Sequence, residues 1–392
     1  MNDGDVLRAF HEPPLPPSKV DIGRAIRAGR RRSGQTRGAA LAAVLIVALT
    51  GGPFVFVPAF RGDQAADARR TQFTITASAV DGGRASAAEL GAAATILESR
   101  LSAAGFPGAT VSVVGDHLVA IVRGSHTVED IAPRLSPAAL TVRKVIDAIP
   151  RTYYAEGTAL PPWRAAPPPD AASEQPTRTA VLAKLGDAVA AAEAITDQTE
   201  AMADSALEPF RRLTPAEVAV LPPTLQFLVP QIECPTLGAR PVGSVALQSG
   251  PVVACDTFGS KYLLDRARVA DADVASAVPR LDGQVHAWLV DLRFNARGAP
   301  RWTGLTEEAF RNTGGACIVT QPRDTGAGAN VCQVAFVVDN TVLSTPAIQA
   351  VIGDSAFIVG GIETEIKQLA ADLTYGPMPV NLTVTAAVDL AG

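Results

Sequence analysis

A stretch of 23 residues without a charged side chain, 38–60, constrains this chain more than any other feature. At ~1.5 Å per residue, a helix of that length crosses the ~30 Å hydrocarbon core of a bilayer. Pro53 is expected to kink this helix or to mark its outer end. The stretch therefore predicts a single transmembrane helix over residues 38–60.

The residues that flank this stretch predict its orientation. Six arginines lie within residues 24–37 with no acidic residue among them, whereas the other flank has Arg61 followed by Asp63. Because positive charge stays inside, residues 1–37 are expected in the cytoplasm and the C-terminal domain outside the cell membrane. A cleaved signal peptide is the alternative, but its charged region would be short and stand at the very N-terminus. The basic tail is interpreted as a topology signal, with binding to anionic lipid or a cytoplasmic partner as the alternative.

Charge is unevenly distributed along the chain. Residues 1–60 contain eight basic and four acidic residues, so with a total charge of −5 the remaining residues carry −9. Nucleic-acid binding requires clustered Lys and Arg, which an acidic outer region does not provide. The outer region is therefore expected to have no nucleic-acid partner.

All four cysteines lie on the predicted outer side: Cys234, Cys255, Cys317 and Cys332. An even number of cysteines in an oxidising compartment predicts two disulfides, for which three connectivities exist. We favour the sequence-local pairs, 234 with 255 and 317 with 332, each closing a loop of roughly 15–20 residues. A zinc site is the alternative, but the short spacing of a typical cysteine ligand pair is missing.

Residues 72–147 read as a compact α/β unit. Alternating strands are expected at 72–80, 109–114 and 118–122, a helix at 86–104, a short helix at 128–135 and a last strand at 140–146. The order β-α-β-β-α-β is that of a ferredoxin-like sandwich. Residues 150–177 are rich in proline and predict a linker, residues 177–207 predict a helix, and residues 231–280 read as irregular.

The α/β pattern returns in the last hundred residues. Strands are expected at 285–294, 333–338, 341–343, 356–359 and 380–388, with helices at 303–311 and from Glu363 or Thr364 to Tyr375. A turn at Asp339-Asn340 joins two of the strands, and a Gly-rich loop occupies 312–331. The predicted class is α+β.

Patterns typical of enzymes or metal sites are weak. The four histidines, at positions 11, 117, 126 and 286, lack ligand spacing, and nucleotide-binding and nucleophile-elbow motifs are missing. Glu307 and Glu308 are adjacent on a helix, so their carboxylates do not converge. We interpret Asp339 as turn-forming and Arg143 and Arg293 as exposed strand residues, and we expect neither catalysis, metal nor cofactor. Tyr153 and Tyr154 are a candidate peptide-binding edge.

Three stretches of the sequence carry a resemblance to one known family. Residues 87–145 contain LGAAATILESRLSAAGFPGATVSVVGDHLVAIVRG and LTVRKV, residues 234–274 contain CD at 255–256 and KYLL at 261–264, and residues 290–380 contain VDLRFNARGAPRWTGLT, VAFVVDNTVLSTPAI and FIVGGIETEIKQLAADLTYGPMPV. Together they resemble the first large extracytoplasmic domain of the SecD/SecDF family, membrane proteins that assist protein export. The first stretch is similar to the base subdomain, the second resembles the segment that introduces the head subdomain in actinobacterial members, and the third follows the head subdomain in order and spacing.

The resemblance implies a ferredoxin-like base subdomain plus an α/β head subdomain, preceded by one transmembrane helix. A full SecD has six such helices, so we expect a single-pass protein without the bundle that carries protons. The expected divisions are a basic tail at 1–37, the helix at 38–60, the base at 72–147, a Pro/Ala-rich linker with helices at 148–232, the head at 233–379 and a final strand at 380–392 that returns to the base.

The expected function is that of a passive, non-enzymatic export accessory that binds extended polypeptide, a translocon subunit or another envelope partner. Exposed sheet edges suit such work, because main-chain pairing makes little demand on sequence. A transmembrane sensor or scaffold is the alternative, in which the ectodomain binds a ligand and the cytoplasmic tail relays the signal. Deleting residues 1–32 while keeping the anchor discriminates between them, since only the sensor requires the tail.

Overall fold

The computed structural model describes residues 69–80, 82–150, 176–241, 243–283, 286–315, 317–318 and 331–390. The predicted tail and transmembrane helix, most of the proline-rich linker with Tyr153 and Tyr154, and most of the Gly-rich loop lie outside these residues. In the described ranges, helices fall short of the length and hydropathy that a membrane span needs.

The described residues form twelve strands. They are β1 (Arg70–Ala79), β2 (Thr110–Val114), β3 (His117–Arg123), β4 (Leu140–Ile149), β5 (Val252–Asp256), β6 (Lys261–Ala270), β7 (Val274–Asp282), β8 (Ala287–Phe294), β9 (Val334–Val338), β10 (Thr341–Ser344), β11 (Ser355–Val359) and β12 (Val380–Leu390).

Eleven α-helices and three 3₁₀ turns connect these strands in the described residues. The helices are α1 (Ala87–Ala103), α2 (Val128–Ile131), α3 (Arg178–Leu185), α4 (Ala188–Glu193), α5 (Gln198–Ala203), α6 (Glu208–Arg211), α7 (Pro215–Ala219), α8 (Pro223–Leu228), α9 (Cys234–Gly238), α10 (Gly298–Arg311) and α11 (Glu363–Tyr375). The 3₁₀ turns are Ala132–Leu135, Ser205–Leu207 and Asp271–Asp273. The α+β class is confirmed.

An antiparallel four-stranded sheet with the order β12-β1-β3-β2 packs against α1. Alternation in β1 turns Phe73 and Ile75 inward, both fully buried. A capping box between Ser86 and Glu89 begins α1, whose buried residues lie three or four positions apart on one face. The C-terminal strand β12 completes this sheet across more than 300 residues of sequence.

A closed barrel with the order β10-β5-β6-β4-β9 lies beyond this sheet. The strand expected at 140–146 does form as β4, but it pairs with β6 and β9 and not with the strands of the four-stranded sheet. Its first six residues are all buried, because one face packs into the barrel and the other against neighbouring elements. An edge position in an open sheet would have left one of those faces exposed.

Residues 231–280 are not irregular, which corrects the sequence prediction. They contain α9, β5, all of β6 and most of β7. Strand β5 buries both faces, because Val252 and Ala254 point into the barrel while Cys255 packs on the helices. The charged Lys261 interrupts the apolar pattern of these strands, which is why the sequence did not indicate them. It is fully buried, and its Nζ donates to the Val229 carbonyl at 3.1 Å; burial lowers its pKa to about 7.

The expected helix at 177–207 is broken into α3, α4, α5 and a 3₁₀ turn. Gly186 has a φ of +53° and ends α3, while the Asp197 carboxylate accepts from the Thr199 and Glu200 amides and begins α5. The alanine-rich composition favours a helix, but these two stop and start signals prevail over it.

The last unit is a three-stranded antiparallel sheet, β11-β8-β7, covered on one face by α10 and α11. Helix α10 begins five residues earlier than predicted, because the Asn295 carboxamide oxygen accepts from the Arg297 and Gly298 amides. Helix α11 begins after Ile362, whose amide donates to the Glu365 carboxylate at 3.2 Å, so neither Glu363 nor Thr364 is its cap.

Two disulfides, Cys234–Cys255 and Cys317–Cys332, join the sequence-local pairs. Cys234 and Cys255 sit in the core between α9 and β5, with 6% and 2% of their surfaces exposed.

Replacing Cys255 by serine is expected to lower the free energy of unfolding by about 2–5 kcal/mol, because the native bond restricts the unfolded chain. Urea denaturation followed by circular dichroism measures this loss. Wild-type protein that is denatured without reductant should offer no thiol to an alkylating reagent. Two alkylated cysteines per chain would contradict the pairing.

Candidate functional site

The outer face of the three-stranded sheet carries apolar side chains in contact with solvent. Along β8, Val290 and Leu292 point inward and are fully buried. The register places Val278, Asp291 and Phe357 side by side on the opposite face. Val278 and Phe357 are 53% and 54% exposed and flank Asp291, so this face exposes apolar side chains on its two outer strands.

The edge strand β11 adds main-chain groups to this face. Phe294 N donates to Asp354 O at 2.9 Å, and Gly360 N donates to Trp288 O at 3.4 Å. In an antiparallel pair, hydrogen-bonding residues alternate with residues whose main-chain groups point away. Ser355, Phe357 and Val359 therefore direct their N–H and C=O groups away from β8, and in the described structure β8 is the only strand paired with β11. The Ser355 carbonyl already accepts from Trp302 Nε1 at 3.0 Å, so a further strand would pair at Phe357 and Val359.

The charges around this edge are paired. Arg293 lies 3.5 Å from Asp354, and Arg280 lies 3.1 Å from Asp282 and 3.9 Å from Asp291. The edge is thus an apolar row with no strong net charge, suited to a chain of mixed sequence. We call Phe357 and Val359, with their outward main-chain groups, the β11 edge.

A second cluster lies where the four-stranded sheet meets the barrel. Arg100 is fully buried on α1, and its guanidinium donates to the carbonyls of Ser136, Pro137 (3.2 Å) and Gly376 (2.6 Å). Its Nε lies 3.4 Å from the carboxylate of Asp372 on α11. Burial raises the pKa of Asp372 to about 6 despite this positive neighbour.

Two more carboxylates face the same cluster from the barrel. Asp339 accepts from Ser136 Oγ at 2.6 Å and from the Ala139 amide at 3.0 Å, and burial raises its pKa. Asp271 accepts from the Leu140 amide, and burial raises its pKa to about 6. Asp339 does occupy the predicted turn, with a φ of +55°. Its carboxylate also binds Ser136 and Ala139 in the connection that leads into β4.

Other residues singled out from sequence are dispersed. His117 lies on β3, His126 before α2 and His286 before β8, and in the described residues no three His, Cys, Asp or Glu side chains could share a metal ion. Glu307 pairs with Arg311 at 3.0 Å, whereas Glu308 pairs with Arg268 at 2.7 Å, so they point to different partners.

Arg143 is not an exposed strand residue, which corrects the prediction. It is fully buried and donates to five acceptors. Four are carbonyls, those of Val245, Gln248, Gly250 and Asp265. Burial lowers its pKa to about 10, so it stays charged at neutral pH. Arg293, in contrast, has a side chain that is 58% exposed.

Residues 251–380 match the family model described as SecDF, P1 head subdomain. That match begins just before β5 and ends at the first residue of β12, so it contains the barrel strands β5, β6, β9 and β10 and the entire three-stranded sheet with the β11 edge. The chain therefore carries a SecD/SecDF-like extracytoplasmic domain.

Solved structures of SecDF are similar to this chain at low identity. A crystal structure of SecDF in a super-membrane-facing form is 19% identical to this chain, with a TM-score of 0.42. The matched region covers 82% of this chain and 30% of the SecDF chain. A structure of the membrane component SecDF that enhances protein export is 19% identical to this chain, with a TM-score of 0.39. The matched region covers 80% of this chain and 98% of the chain in that structure. SecDF from Thermus thermophilus, a translocon-associated membrane protein, is 16% identical to this chain, with a TM-score of 0.27. The matched region covers 81% of this chain and 30% of the Thermus chain.

This chain thus spans about 30% of the length of the first of these structures. No curated protein matches it.

Proposed function

We propose that this chain is an accessory of protein export that binds extended polypeptide outside the membrane, along the β11 edge. The observation that carries the proposal is the coincidence, in Phe357 and Val359, of exposed apolar side chains with outward main-chain groups. A polypeptide in extended conformation would add to the sheet as a further strand. The match to a SecDF head subdomain over the same residues supports an export role for that binding.

The geometry also indicates which polypeptide segments would bind best. Main-chain hydrogen bonds give affinity without regard to sequence, and side chains of the added strand alternate between the two faces. Every second side chain would lie beside Phe357 or Val359, so segments with apolar residues at alternate positions are favoured. Chains emerging unfolded from a translocon offer such segments, which makes secretory polypeptides the proposed ligand and a translocon subunit the proposed neighbour.

The proposal includes the placement of the domain. The sheet order β12-β1-β3-β2 supports a ferredoxin-like base, with β12 as its last strand. The two disulfides support an oxidising, extracytoplasmic compartment. Residues 38–60 are the proposed membrane anchor and residues 1–37 the cytoplasmic tail. We propose that the protein binds its ligand passively and is not an enzyme.

Replacing Val359 by proline tests the site, because the outward N–H of Val359 takes no part in pairing with β8. The substitution should leave the sheet intact and weaken polypeptide binding about tenfold, or about 1.4 kcal/mol, by removing one donor and obstructing the added strand. Fluorescence anisotropy of a labelled secretory protein, reduced and carboxymethylated so that it stays unfolded, measures the affinity of the full chain. Phe357→Lys should weaken binding similarly through the side-chain face.

The matched control is Val113→Lys, a change at a 42% exposed valine on the edge strand β2 of the other sheet. It should bind the unfolded chain within about twofold of the wild type. Equal binding by wild type and Val359→Pro would remove the β11 edge as the site. Failure of the wild-type chain to bind any unfolded polypeptide would remove the proposed function itself.

A further inference from the structure

The β11 edge is short, because the residues on its N-terminal side are already bonded to α10. Trp302 Nε1 donates to the Ser355 carbonyl at 3.0 Å. One turn further along the helix, Thr306 Oγ1 accepts from the Ile352 amide at 3.0 Å. Side chains of α10 therefore bind main-chain groups at the start of β11 and just before it, where an added strand would otherwise continue.

Trp302 is held firmly in the core, where 1% of its surface is exposed. Its ring centroid lies 5.4 Å from that of Phe294 and 5.8 Å from that of Phe336. A buried indole N–H needs an acceptor, and here the acceptor is an outward main-chain carbonyl. The indole thus gives Ser355 the hydrogen bond that an added strand would otherwise supply at the pairing position before Phe357.

The other end of the β11 edge is closed by a change in backbone conformation. Gly360 and Gly361 follow Val359 with φ values of +134° and +87°, which lie outside the range of an extended strand. Pairing positions that face away from β8 recur at every second residue. The open window between Ser355 and Gly361 therefore holds two such positions, Phe357 and Val359.

The opposite edge of the sheet, β7, is interrupted at its centre. Pro279 has no N–H to donate, and Thr374 Oγ1 of α11 donates to the Ala277 carbonyl at 3.0 Å. Natural sheets block their edges in such ways against unspecific pairing with other chains. The two open positions of β11 are therefore a limited opening in a protected sheet, and not part of a long free edge.

We propose that Trp302 sets the length of the segment that this domain recognises, which is a three-residue extended stretch with apolar side chains at its first and third positions. These two residues pair with Phe357 and Val359, and the middle side chain points to the opposite face. A longer extended segment gains nothing further, because its next residue meets a carbonyl that already accepts from Trp302. The inference rests on the proposed function and adds the class of segment that is bound and the residue that limits it.

Two labelled peptides test the length limit by fluorescence anisotropy with the full chain. One has the core Val-Thr-Val and the other the core Val-Thr-Val-Thr-Val, each flanked by prolines, which cannot donate to a ladder. Wild type should bind both cores within about threefold of each other, since the longer core adds an alternative register but no further hydrogen bond. A five-residue core that binds wild type about tenfold more tightly than the three-residue core would overturn the length limit.

Trp302→Phe keeps an aromatic ring in the core and removes the N–H, so that the Ser355 carbonyl becomes available. This variant should bind the five-residue core about tenfold more tightly than the three-residue core, with wild-type affinity for the shorter one. Trp288→Phe, which shortens another tryptophan packed against the same core, is the matched control and should keep the wild-type ratio. A wild-type ratio in Trp302→Phe would refute the role of Trp302.

The unfolded secretory protein and Val359→Pro separate this length limit from polypeptide binding itself. If wild type binds the unfolded protein but neither peptide core, the three-residue segment is wrong and the proposed function stands. If wild type binds none of the three ligands, the proposed function falls and the length limit with it. Binding of both cores that Val359→Pro weakens about tenfold would place them at the β11 edge, as the length limit requires.

Discussion

Replacing Gly298 by alanine is expected to lower the free energy of unfolding by about 3 kcal/mol, at the upper end of overpacking losses. A Cβ at this position would lie 2.3 Å from the carbonyl oxygen of Asp273 and 2.6 Å from its Cβ. The obstacle is main chain and cannot rotate away. It is also fixed, because the same carbonyl accepts from Asn295 N at 2.9 Å. Either α10 shifts or this contact breaks.

Urea denaturation followed by tryptophan fluorescence measures this loss, since Trp302 is buried one turn along α10. Gly304→Ala is the matched control, because it lies in the same helix and a Cβ there meets no atom within 4 Å. Alanine at 304 should raise stability by about 0.5–1 kcal/mol through its helix propensity. Equal stability of Gly298→Ala and wild type would contradict the close approach of α10 to Asp273.

Arg143→Met should lower the free energy of unfolding by about 4 kcal/mol. Methionine fills much of the same volume but provides no donor, so the carbonyls of Val245, Gln248 and Gly250 lose a charged partner inside the protein. The segment around 243–250 contributes Val245 to the barrel core and would lose its attachment to β4. Urea denaturation followed by circular dichroism measures the change.

Arg293→Met is the control for Arg143, since it changes an arginine on another strand whose side chain is largely exposed and forms one ion pair at 3.5 Å. Its effect should stay within about 0.5 kcal/mol. Arg143→Lys should fall between the two, because a single ammonium group cannot reach carbonyls on both sides of the planar guanidinium. If Arg143→Met and Arg293→Met were equally stable, the hydrogen-bonding role of Arg143 would be wrong.

Local pattern predicted the elements well where one face is buried and the other is not. The alternation around Phe73 and Ile75 marked β1, and the apolar spacing from Leu90 to Leu101 marked α1. When a strand is buried on both faces, the spacing of its apolar residues does not indicate which strands it pairs with. Strand β4 carries Arg143 and Lys144 among apolar residues, and neither the continuous burial nor the closure of the barrel follows from that pattern.

The two clusters were less accessible to sequence reasoning than the fold. Exposed sheet edges could be expected in general, but the β11 edge depends on the register with β8, which sets the direction of each main-chain group. Arg100 and Asp372 are more than 270 residues apart and belong to different helices. A buried arginine has the same local sequence signal as a solvent-facing one, so only tertiary packing identifies it.

The pairing of β1 with β12 has a topological consequence. Arg70 is opposite Leu390, so a chain that enters the four-stranded sheet leaves it one strand away, at a separation of about 5 Å. The residues between Arg70 and Leu390, including the barrel and the β11 edge, therefore form a loop whose two ends lie side by side. Such a module can be inserted into a short connection of a host protein, or removed from one, without moving the flanking segments apart.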